Sequence, residues 1–152
     1  MFKAPKLANI YFGFSPVKSI EAFAISHLSA LERFQIRQNK AILTLSTNSL
    51  ALPLKNSFIQ LDTSYTTLEF QPGFITNLNP TASFEFEGSN VDTFDEAVFS
   101  DVFKSLASCA DCNAYHESGH ITDIDNLECD CNILWILLED ETYLDVINEY
   151  DT

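Results

Sequence analysis

The chain has 152 residues, the length of one domain, with 8 Lys+Arg against 22 Asp+Glu and a formal net charge of −14. Its 46% hydrophobic share, with thirteen Phe, five Tyr and one Trp, is too apolar for a disordered chain and sufficient for a sizeable core. The acidity argues against a direct nucleic-acid binder, because neutralising phosphates takes Lys and Arg.

Lys3 and Lys6 precede an apolar stretch, Leu7–Phe14, and Ala22-Phe23-Ala24 imitates a signal cleavage site. Pro16, Lys18 and Glu21 intervene where a signal peptide has small neutral residues, so Leu7–Phe14 reads as a strand of the mature protein. The longest strongly apolar run, Ile133 to Leu138, is far short of the roughly 20 residues of a helical span. The expected compartment is the cytoplasm, with reduced thiols.

Ser15-Pro16 is N-cap chemistry followed by a residue suited to the first helical position. Val17, Ile20, Phe23, Ala24, His27, Leu28, Leu31 and Phe34 then recur at three and four. That spacing predicts an amphipathic helix to about Gln38, with His27 a core residue on its apolar side. Ala41–Ser46, Leu50–Leu54, Phe58–Asp62, Tyr65–Gln71, Phe74–Leu78 and Ala82–Glu87 read as short strands. In the last of these Phe84 and Phe86 point one way and Glu85 and Glu87 the other. Pro72-Gly73 and Asn77–Pro80 are turn chemistry. Such spacing predicts an antiparallel meander with one wet face.

Asp92 or Thr93 is placed to cap a second helix whose inward residues are Phe94, Val98, Phe99, Val102, Phe103 and Leu106. Ile133–Leu138 is a core strand or the start of a helix, and Tyr143, Val146, Ile147 and Tyr150 fit a short C-terminal helix. No internal repeat and no linker is evident. The expected fold is α+β: one domain over 1–152, an antiparallel β-sheet meander packed against an N-terminal amphipathic helix, with further C-terminal helices.

All four cysteines fall in one stretch, Cys109-Ala-Asp-Cys112 and Cys129-Asp-Cys131. Two such pairs can close a tetrahedral Cys₄ site, giving one structural zinc as the candidate cofactor. The second pair is CxC, no turn glycine is present, and Asp111, Glu128 and Asp130 raise thiol pKa values, which favours ordinary reduced cysteines. Between the pairs lies His116-Glu117-Ser118-Gly119-His120. HESGH resembles the HExGH form of the HExxH motif of zincin metallopeptidases. The resemblance covers five residues and implies His116 and His120 as zinc ligands and Glu117 as general base. A third ligand would come from downstream, Glu139 or Glu141. Ser118 and Gly119 are poor helix interior, and the apolar face there is thin. With only four glycines (13, 73, 88 and 119) there is no phosphate-binding loop.

Charge is divided along the chain. Residues 1–56 hold seven basic and two acidic residues, +5, and residues 57–152 hold one basic residue, Lys104, and twenty acidic ones, −19. Asp123, Asp125, Glu128 and Asp130 crowd one stretch, and Glu139, Asp140, Glu141, Asp145, Glu149 and Asp151 crowd the tail. An array of carboxylates without counter-charges imitates a phosphate track and steers onto a basic nuclease or nucleic-acid-binding protein. The plainer alternative is solubility alone. In size, acidity and lack of an active site the profile resembles toxin-neutralising immunity proteins and phage-encoded anti-defence inhibitors. The expected function is a non-enzymatic inhibitor of a basic nucleic-acid-handling protein. The alternatives are a small zinc metallopeptidase and a zinc-stabilised interaction domain.

Overall fold

The structure, a computed structural model, describes residues 6–26, 28–51, 58–62, 67–78, 80–86, 91, 94–108, 120–122, 133–139 and 142–147. Every strand pairing in it is parallel. The first coil of chain carries β1 (Asn9–Gly13), β2 (Ser19–Ile20) and a single bridging residue, Ile25. The second carries β3 (Arg33–Arg37), β4 (Leu43–Leu45) and β5 (Leu50–Ala51). The third carries β6 (Phe58–Leu61), β7 (Leu68–Phe70) and β8 (Ile75–Thr76). β9 (Ser83–Glu85) opens a fourth, after which the chain leaves the pattern for α1 (Glu96–Ala107), β10 (His120–Thr122), α2 (Leu134–Glu139) and α3 (Thr142–Val146).

Consecutive strands of a coil lie in different sheets and do not pair with each other. Each pairs with its counterpart one coil on. The sheets run β1-β3-β6-β9-β10, β2-β4-β7 and β5-β8. The result is a three-faced parallel solenoid closed at one end by helices. In the first sheet Ile10, Phe34, Ile59 and Phe84 stack in register, at steps of 24, 25 and 25 residues, and Ile121 follows on β10. Along β3 the side chains alternate, with Phe34 and Ile36 buried and Arg33 exposed. Leu45 and Phe70 stack in the second sheet, and Ile25, Leu50 and Ile75 in the third. These inward columns are the core.

The corners explain how so short a coil closes. Phe23, Asn48 and Gly73, 25 residues apart, hold positive φ of 59°, 58° and 68° at the same corner of successive coils. The backbone stacks there: Phe23 N–H donates to Asn48 O at 2.8 Å, and Asn48 N–H to Gly73 O at 2.7 Å. Phe14 and Gln38 (φ 55° and 54°) form a second left-handed corner. Asn39, fully buried beside it, ties coils together through its side chain. Its Nδ2 donates to Val17 O at 2.8 Å and to Ala41 O at 3.0 Å, while its backbone N–H donates to Asp62 O.

Asp95 caps α1, accepting from the Ala97 N–H at 2.8 Å, with Glu96 in the first turn and Lys104 in the last. The helix buries Phe99, Val102, Phe103 and Leu106. Phe99 packs on Phe70 and Phe74 of the third coil at ring-centroid separations of 5.0 and 5.7 Å. Phe103 meets Trp135 and Tyr143 at 5.3 and 5.7 Å, and Trp135 Nε1–H donates to Phe94 O at 2.8 Å. One aromatic chain thus joins solenoid to cap.

Several sequence expectations are corrected here. Every predicted strand contains one, and Phe84 and Phe86 are inward, but the antiparallel meander is replaced by parallel stacking. The N-terminal helix over 17–38 is absent. That stretch holds β2, β3 and a left-handed residue, Phe23, exposed at 61% where a core position was expected. Its apolar spacing of three comes from Leu28, Leu31 and Phe34, which point inward as the coil bends into β3. The repeat that was not evident is the 25-residue coil itself. The second helix begins later than expected, and Asp95 rather than Asp92 or Thr93 caps it. The 133–138 run is helical from Leu134, and the expected C-terminal helix is the short α3, which ends at Val146, with Ile147 bridging to Ile121 instead and Tyr150 outside the described residues. His27 lies outside the described residues.

Candidate protein-interaction surfaces

Three surfaces offer polar or apolar groups to a partner. The first is the outer face of the five-stranded sheet. Gln35, Gln60 and Glu85 fall in one column, and Arg33, Phe58 and Ser83 in the next. Gln35 Nε2 donates to Gln60 Oε1 at 2.6 Å, and Gln60 Nε2 donates to Glu85 Oε1 at 2.7 Å. The Arg33 guanidinium sits 4.9 Å from the Phe58 ring centroid, a cation–π contact one strand away. These groups are spent on each other along the solenoid axis, so this face reads as a self-satisfied ladder.

The second surface is the helical cap at the C-terminal end. Glu96 and Asp101 on α1 and Asp145 on α3 are exposed, with one exposed cation, Lys104, on α1. Leu134, Leu137 and Leu138 on α2 and Leu144 on α3 are exposed, at 45%, 52%, 75% and 48%. Sequence reading took the 133–138 run as a core strand or the start of a helix. Six consecutive apolar residues on a helix cannot all face inward, and that was the signal available. Ile133 and Ile136 do face inward with Trp135.

The third surface is the N-terminal end. β1 is the outer strand of its sheet, and Tyr11, Phe12, Phe14 and Phe23 are exposed on this coil. Lys6 and Lys18 are exposed with them. None of these aromatics was singled out from sequence as a surface residue.

Position along the solenoid separates the charges. The described basic residues outside the cap, Lys6, Lys18, Arg33, Arg37 and Lys40, all belong to the first two coils. β1 packs on β3, β3 on β6 and β6 on β9, whereas α1 and α2 pack on α3, α3 on β10, and α1 also rests on the third coil through Phe99. At about 4.8 Å per strand, β9 and β10 lie about 10 and 14 Å from β3, the strand that carries Arg33 and Arg37, beyond the roughly 8 Å Debye length of physiological salt. The order of charge in the chain therefore becomes an order in space.

Of the carboxylates expected to bind a partner, Asp145 is exposed on α3 and Glu139 closes α2. Asp123, Asp125, Glu128, Asp130, Asp140, Glu141, Glu149 and Asp151 lie outside the described residues, as do Cys109, Cys112, Cys129, Cys131, His116 and Glu117. The backbone of His120 opens strand β10, opposite Ser83, whereas the zincin arrangement places both histidines on one helical face. Among the described residues no three His, Cys, Asp or Glu side chains come together as a metal site, and no helix is long and apolar enough to cross a membrane. No protein-family model, curated protein or solved structure matches this chain.

Proposed function

We propose that this protein is a non-catalytic inhibitor that binds a basic nucleic-acid-handling protein through its acidic C-terminal end. The observation that carries the reading is the solenoid order of charge. An N-terminal helix packed over the sheet could have brought its cations to the acidic half. Stacked coils hold the described cations of the first two coils at the far end instead, supporting an acidic end neutralised by a partner rather than from within. Negative charge held without counter-charges is costly in self-repulsion and speeds encounter with a cationic surface. The exposed leucines of α2 and α3 add an apolar centre to that acidic surface, the composition of an interface with a few buried anchors and a charged rim.

The test is affinity capture on the wild type and on a variant carrying Glu139, Asp140, Glu141 and Asp145 all changed to Lys. The expected result is a basic protein retained by the wild type alone and released by duplex DNA or RNA. Identical protein sets on the two baits, or retained proteins indifferent to nucleic acid, contradict the reading.

A further inference from the structure

The N-terminal end of the solenoid is built at a cost that its own fold does not require. At the corner of Phe23 the second and third coils use Asn48 and Gly73, whereas at the corner of Phe14 the second coil uses Gln38, itself a residue that seldom adopts a left-handed conformation. The first coil uses Phe14 and Phe23. A bulky L-residue is disfavoured in that conformation, where Gly and Asn are tolerated. Both rings are moreover turned to solvent, at 76% and 61% exposure. Tyr11 and Phe12 add to the same end at 57% and 40%. The terminal unit of a solenoid ordinarily carries a polar outer face, because nothing stacks on it. Strain and exposed aromatics together, at an end whose outermost strand is β1, mark a surface built to be covered.

The other end of the same molecule supplies a matching cover. α2 presents Leu134, Leu137 and Leu138 at i, i+3 and i+4, and α3 adds Leu144. The charges match as well. The first coil exposes Lys6 and Lys18 against a single carboxylate, Glu21, whereas the cap exposes Glu96, Asp101 and Asp145 against Lys104. Screening confines these interactions to the contact, so the ends act by their local charge and not by the net charge of −14. Joining two N-terminal ends would oppose lysine to lysine, and joining two caps would oppose carboxylate to carboxylate.

We propose that the aromatic N-terminal end docks on the leucine face of the cap of a second copy of this chain, head to tail. Such a contact is heterologous, so it leaves one free end of each kind and propagates into a ring or an open filament. It occupies the same cap that the proposed partner binds, so assembly and partner binding exclude each other. It does not depend on the inhibitor reading, and its test uses this chain alone.

The test is sedimentation velocity on the full chain from low micromolar to the highest soluble concentration. The wild type is expected to grow in size with concentration. A variant with Phe14→Asn and Phe23→Asn loses only the N-terminal end. Asn tolerates the left-handed corners, so the melting transition is preserved. A variant with Leu137→Lys and Leu138→Lys loses only the cap end. Each is expected to sediment as a monomer alone, and their equimolar mixture as a dimer and nothing larger, because one intact end of each kind remains. Dimer formation in the mixture also shows both variants to be folded. If a pair of changes abolishes the thermal transition, the single substitutions Phe23→Asn and Leu138→Lys replace it, with the same expected pattern. A wild type monomeric at every concentration, a variant that still self-associates, or a folded mixture that stays monomeric overturns the proposal.

Discussion

Replacing Phe23 with Gly separates the solenoid from a helical N-terminus by the sign and size of one number. In an amphipathic helix over 17–38, Phe23 faces the core. Its loss would cost about 3–5 kcal/mol for the cavity and about 1 kcal/mol for glycine in a helix interior. In the solenoid the same residue is 61% exposed and sits at φ 59°. Removing a ring so exposed gives up about 1 kcal/mol of apolar contact. The added freedom of glycine in the unfolded chain costs about 0.4–1 kcal/mol more. Relief of the left-handed conformation returns about 1–2 kcal/mol. These terms nearly cancel, and the expected change in unfolding free energy is within about 1 kcal/mol of zero. Urea unfolding followed by far-UV circular dichroism measures it, at a concentration low enough to keep the chain monomeric. A loss above about 3 kcal/mol would refute the corner assignment, and with it the stacking of Phe23 on Asn48 and Gly73.

Phe99→Ala removes the ring that joins α1 to Phe70 and Phe74 and is 3% exposed. It is expected to cost about 3–5 kcal/mol in denaturant unfolding, and a loss under 1 kcal/mol would show that the cap does not rest on the third coil. Asn39→Ala removes the amide that donates to Val17 O and Ala41 O and is expected to cost about 1–2 kcal/mol, with Asn39→Asp no better because Nδ2 is the donor. A structural zinc on Cys109, Cys112, Cys129 and Cys131 predicts about one equivalent of metal in untagged protein and loss of folding in Cys129→Ser, with Glu117→Gln silent. Under about a tenth of an equivalent, with four titratable thiols, eliminates it.

Local chemistry in the sequence located β1 and β4 to β9 but not β2, β3 or β10, and it said little about the strands' partners. Each predicted β segment contains a strand because apolar alternation and the Pro, Gly and Asn turns are properties of a few neighbouring residues. Pairing is set 25 residues away, as in Gln35–Gln60–Glu85, where no adjacent turn announces it. The repeat is concealed because its positions share a character and not an identity: Ile36, Leu61 and Phe86 are alike only in being apolar and buried. The trace that was there is Leu31-x-x-Phe34-x-Ile36-x-x-Asn39, a strand spacing closed by a corner asparagine, which belongs to solenoid repeats. Steps of three from Leu28 to Phe34 instead imitated a helical period. On the surface, the charge split was legible directly. Its arrangement was not, because only the stacking of coils converts order in the chain into distance.

The central claim, that the acidic end is a binding surface and not a solubility device, is tested most directly by one titration. The captured basic partner is titrated with the wild type and with the Glu139, Asp140, Glu141, Asp145 to Lys variant, each at low and at high ionic strength. Affinity for the wild type should fall steeply with salt, mainly through slower association. The variant should bind on the order of a hundredfold more weakly at low salt while remaining folded, because exposed charges contribute little to stability. Equal affinity in all four titrations would contradict the account.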